Sequence, residues 1–209
     1  MGKYSVERDR IERLCKLYGV SYSPKTLANF RAFFETYSSI REDISYLPKN
    51  VNVDVLKVEA PDIFKAMISH GRIPQEQIIR FLTSMMTSGQ LETLIEKALK
   101  DVKSFGEEGF CYYKIVYMLY IDEKSHKNSE VQSEIGYGKS RYYEKREYAT
   151  MLFGLMLWRQ ILEHWDNSIE EMLSMEKAEG RNGSLATSRI EELNFKPSLT
   201  LINKQEAVD

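Results

Sequence analysis

"NSEVQSEIGYGKSRYYEKREYA", residues 128–149, decides how this chain is read. It opens polar, carries a short apolar run ending at Ile135, breaks at Gly136-Tyr137-Gly138, and restarts basic and tyrosine-rich. Ser129 followed three residues later by Gln132 fits a capping box, in which both side chains satisfy free backbone donors at a helix start. The spacing therefore predicts a helix from Glu130 to about Ile135. Gly136 suits the left-handed position that ends a helix, and Gly138 suits the N-cap of the next. So short a first helix is not stable alone in water, and Val131 and Ile135 must be held by neighbouring segments.

Two helices joined by such a turn make a helix-turn-helix, whose second helix enters the major groove while the first crosses the DNA backbone. On that reading Lys139, Ser140 and Arg141 stand where base edges are met. Tyr143, Lys145 and Arg146, with Ser129 and Gln132 from the preceding helix, reach phosphates. Ile115, Leu119, Val131, Ile135, Tyr142 and Ala149 supply a small core beneath. An αα-hairpin in a helical bundle, with a solvated charged face, satisfies the same residue pattern.

Charge does not separate the two. The 209 residues hold 29 Lys+Arg against 31 Asp+Glu, which argues against a broadly basic coat for nucleic acid. Between Lys124 and Glu147, six basic residues face four acidic ones, so DNA affinity has to come from geometry and dimerisation as much as from charge.

Outward from the stretch, the pattern is helical throughout. Val6, Arg10, Ile11, Leu14, Leu17 and Tyr18 recur at helical spacing before Gly19, and Ser23-Pro24 opens a second helix lined by Leu27, Phe30, Phe33, Phe34, Tyr37 and Ile40. Val51, Val53 and Val55 alternate with polar residues but have no partner strand, so they read as an extended connector. Helices follow over 61–70, 74–88 and 90–105, each ended by glycine at Gly71, Gly89 or Gly106, and over 110–121 before a polar loop to Asn128. From Gly138 one helical pattern runs to Met175. Expected domains are a helical hairpin over 1–50, a central helical region over 51–108 and a helix-turn-helix domain over 109–175. A mobile tail over 176–209, with a brief helix around 188–193, completes an all-α chain.

"IGYGKSRYYEKREYA" resembles the C-terminal signature of the ArpU/RinA-type regulators of Gram-positive phages and prophages, a sigma-region-4-like helix-turn-helix. Ile135, Gly136, Tyr137, Tyr142, Tyr143, Arg146 and Ala149 match that signature, and "KIVYMLYIDEKSHKNSEVQSE" resembles the helix and loop before it. Gly138 departs where the family usually has serine. The resemblance covers about forty residues, plus a looser likeness of "FRAFFETYSSIREDI" to the family's N-terminal helix. It implies a sequence-specific, DNA-binding transcriptional regulator, with late-gene activation and RNA polymerase as a partner among its implications. A small-terminase-like packaging subunit and a protein-interaction module without DNA are the alternatives.

Motifs for chemistry are missing, so the chain reads as no enzyme, with no cofactor and no metal. His70, His126 and His164 are scattered, and Cys15 and Cys111 each lack a neighbouring cysteine. "GYGKS" at 136–140 ends like a phosphate-binding loop but lacks its first glycine and preceding strand. With no signal-like apolar start, no disulfide framework and no span-length apolar run, a cytoplasmic location without membrane contact is expected. Thirteen tyrosines invite a stacking role on nucleic acid, but Tyr112, Tyr113, Tyr117, Tyr120, Tyr142 and Tyr143 fall at helical spacing around the small core, which suits packing with hydroxyls at the rim. Finally, Met151, Leu152, Leu155, Trp158, Ile161, Leu162, Trp165, Ile169 and Met172 make a stripe too broad for the small core. A homodimer with Trp158, Leu162 and Trp165 at its interface is expected, with packing by the N-terminal helices as the alternative.

Overall fold

A computed structural model of the chain describes residues 3–42, 74–87, 89–124 and 126–178. These hold seven α-helices and no strand, so the all-α class stands. The connector at 51–55, the helix expected over 61–70 and all of the tail beyond Ala178 lie outside them. The helices are α1 (Lys3–Leu17), α2 (Pro24–Glu42), α3 (Gln75–Thr87), α4 (Gln90–Lys103), α5 (Gly109–Val116), α6 (Asn128–Ile135) and α7 (Lys139–Ala178). None is long and apolar enough to cross a membrane.

Local chemistry explains most boundaries. Ser23 Oγ accepts from the Thr26 backbone N–H at 3.1 Å and caps α2, whose first residue is the preorganised Pro24. Gly19, Gly89, Gly106 and Gly136 have positive φ where helices end or turn. α1 buries Ile11 and Cys15, with Tyr18 buried just after it, while Val6 and Leu17 are exposed, so its inner face is rotated from the expected one. The rotation brings Glu7 inward.

By their contacts the residues fall into two compact units, Met1–Leu162 and Glu163–Asp209. Within the first unit, the initial turns of α7 form a spine that the other helices cover. Phe153 stacks on Phe34 of α2 at 4.4 Å between ring centroids. Gln160 Nε2 donates to Asp101 of α4 at 2.8 Å, and Trp158 Nε1 donates to the Tyr18 carbonyl after α1 at 3.4 Å. One helix thus follows the turn at 136–138 and also packs in the core of the N-terminal helices.

Gly154 marks the closest approach. A Cβ there would run into the Phe30 ring, itself fully buried. In a free helix, Gly→Ala stabilises by about 1 kcal/mol. Here overpacking reverses the sign, and Gly154→Ala is expected to destabilise by about 1–3 kcal/mol in chemical denaturation. A stabilised variant would show that α2 and α7 are not in this contact.

α5 continues into a π-helical turn, Tyr117–Ile121, closed by the Asp122 N–H on the Tyr117 carbonyl at 2.8 Å. The wider turn shifts the inward register by one residue. Tyr120 is therefore buried, with its ring 5.4 Å from Phe34, while Leu119, expected in the core, is only half-buried.

Candidate nucleic-acid interface

Two helices joined by a tight turn are present at 128–178. α6 ends at Gly136, whose φ of 76° is left-handed, and the Tyr142 N–H bonds the Gly138 carbonyl at 2.9 Å as α7 begins. α6 packs on α5 and on the π turn. Ile115, Val131, Tyr142 and Ala149 are buried as expected, and Ile135 is half-buried.

The start of α6 differs from expectation. Lys127 is the cap position, and Glu130 reaches back to accept the Lys127 backbone N–H at 3.1 Å. Glu130, not Gln132, supplies the reciprocal half of the cap, because the helix opens two residues earlier than the Ser129 box would place it. Gln132 instead donates to the Tyr137 carbonyl at 3.2 Å and braces the turn. His126 sits just before, its Nε2 2.9 Å from Asp122 and its Nδ1 3.5 Å from Glu130. Its hydrogen bond draws the Asp122 carboxyl below the usual range.

Asn128 joins the two helices and was not singled out in the sequence. Its Oδ1 accepts from Tyr142 Oη at 2.9 Å and from Arg146 Nη1 at 2.8 Å. An asparagine just ahead of a predicted helix start was the available signal, since its short amide can serve the cap region. Arg146 is half-buried over the Tyr143 ring, so it works as a strut between α6 and α7.

Lys145 is the larger correction. Its side chain is 0% exposed, with Nζ 2.7 Å from Glu7 Oε2 and 3.1 Å from Glu108 Oε2, so it cannot reach a phosphate. Tyr112 Oη donates to the same Glu7 oxygen at 2.9 Å. Burial first, and the Glu7 charge second, raise the Tyr112 pKa, so the phenol stays a donor. Lys145 is the residue through which α1, α5 and α7 meet.

Lys139 and Ser140 at the start of α7 and Ser129 on α6 remain exposed, as do Lys124 and Lys127 in the loop before α6. Tyr143 is 38% exposed, and Arg141 is half-buried with its guanidinium 5.6 Å above the Tyr137 ring. The face can offer a compact lysine and hydroxyl edge at a helix N-terminus, with an aromatic rim.

Trp158 and Leu162 do not form an interface between copies. They are 1% and 8% exposed within the chain itself, and the Trp165 side chain lies outside those described. Cys15 is buried, which pushes its thiol up to about 12, and burial raises the Cys111 thiol as well. Among the described residues no group of three or more His, Cys, Asp or Glu side chains could hold a metal ion. Comparison with protein-family models, with curated proteins and with solved structures found no match.

Proposed function

We propose that the protein is a sequence-specific DNA-binding regulator of the ArpU/RinA type, acting on phage or prophage genes through α6 and α7. The observation that carries this reading is the left-handed turn at Gly136 leading into a second helix whose first residues, Lys139 and Ser140, are exposed. Tyr142, Arg146 and Asn128 brace the angle between the two helices, so the reading edge is preorganised. Lys139 and Arg141 meet base edges, Ser129, Lys124 and Lys127 meet phosphates, and RNA polymerase is a further partner.

Selection of bound fragments from a genomic library tests this directly. On a selected site, Lys139→Ala and Arg141→Ala are each expected to lower affinity by about 1–3 kcal/mol while the fold persists. With Lys145 and Arg146 engaged inside the protein, the salt slope is expected to be shallow, close to about −2 per chain for the two lysine–phosphate contacts. Site-bound affinity untouched by both substitutions would remove α7 from the interface. The inward turn of Lys145 favours one second reading, a protein-interaction module, which failure to enrich any DNA would support.

A further inference from the structure

α4 exposes Glu92, Glu96, Lys100 and Lys103. At roughly 100° per residue these four fall within about 80° of one another, as a single stripe, with Lys97 about 60° beyond its edge. The acidic pair occupies the N-terminal half and the basic pair the C-terminal half. The helix macrodipole favours that order along the axis but says nothing about azimuth. No ion pair among the described residues engages Glu92, Glu96 or Lys100, and Lys103 Nζ lies over the Phe110 and Tyr113 rings at 5.7 and 5.3 Å. Phe110 and Tyr117, 59% and 38% exposed, continue from there as an aromatic ridge with Tyr113 between them.

We propose that this face of α4, with the Phe110–Tyr117 ridge, docks a second copy of the chain in antiparallel register about a two-fold axis. Glu92 then opposes Lys103 of the second copy, and Glu96 opposes its Lys100. Both pairs are centred within half a residue of position 98, the condition an isologous helix pair must meet. A strand of nucleic acid gains nothing from a stripe with equal charges of both signs, whereas an inverted copy meets its complement at every position. The ridge supplies the apolar area that a charged stripe lacks. Trp158 and Leu162, being intramolecular core, leave this surface to the second copy.

The test measures mass in solution by sedimentation across a concentration series, with no nucleic acid present, so its outcome does not depend on the DNA reading. The intact chain is expected to dimerise. Reversing one half, as Glu92→Lys with Glu96→Lys or as Lys100→Glu with Lys103→Glu, turns four attractions per dimer into repulsions and is expected to weaken self-association by at least about thirtyfold. An equimolar mixture of the two reversed proteins is expected to dimerise again. Carbodiimide coupling of the unsubstituted protein gives an independent readout. Along one helix Glu92 and Lys103 are about 16 Å apart, so a zero-length link between them has to join two copies. A monomer at every concentration, a dimer indifferent to both reversals, or a dimer fraction without the Glu92–Lys103 link would each overturn the proposal.

Discussion

Replacing Lys145 with methionine is expected to destabilise the protein by about 3–5 kcal/mol at neutral pH, the cost of leaving buried charge without its counter-ion. The side chain is 0% exposed, and the carboxylates of Glu7 and Glu108, 12% and 16% exposed, both point at its Nζ. Methionine fills nearly the same volume, so packing contributes little to the loss. What remains is two carboxylates facing one another in a poorly solvated site, with Tyr112 donating to one of them. Adding Glu7→Gln and Glu108→Gln should recover most of the loss. Denaturant titration decides it, and a deficit below about 1 kcal/mol would mean that the cluster is not buried as described.

Trp158→Ala is expected to cost about 3–5 kcal/mol without changing the mass of the protein in solution. Trp158 is among the largest fully buried side chains, and its indole N–H reaches the Tyr18 carbonyl at 3.4 Å. Truncation would leave a cavity between α7 and the chain that follows α1. Trp158→Phe keeps most of the apolar volume and loses chiefly the hydrogen bond, so a smaller loss near about 1 kcal/mol is expected there. If Trp158→Ala instead converted a dimer to a stable monomer with unchanged unfolding free energy, the residue would belong to an interface between copies.

Much of this fold is local enough to be legible in the residues. Ser23-Pro24 marked the start of α2, Gly19, Gly89, Gly106 and Gly136 marked ends and turns, and the apolar rhythm from Gly138 marked α7. Each signal acts through neighbours a few positions away, by capping, by left-handed backbone or by helical period. The π turn at Tyr117–Ile121 left no such mark. It holds through the burial of Tyr120 against Phe34, a residue far away in sequence.

The candidate site was legible in outline and misread in its charges. Lys139, Ser140 and Ser129 are exposed as their positions implied, because the first turn of a helix after a tight turn projects beyond its neighbours. Lys145 and Arg146 looked equally available, since a charged residue on an amphipathic helix usually faces water. Whether a lysine meets solvent or a carboxylate depends on which distant segment lies over it. Here Glu7 stands 138 positions earlier in the chain.

By itself, the sequence determined the helical class, the break between α6 and α7 and the absence of a span-length apolar segment among the described helices. These follow from composition and short-range backbone preferences, which hold wherever the helices go. Only the tertiary structure decided that the α7 stripe from Met151 to Leu162 is buried within the chain itself, and that Lys145 locks three helices instead of meeting phosphate. Burial and ion pairing depend on contacts between residues more than a hundred positions apart, and helical period reports which face is apolar without saying what covers it.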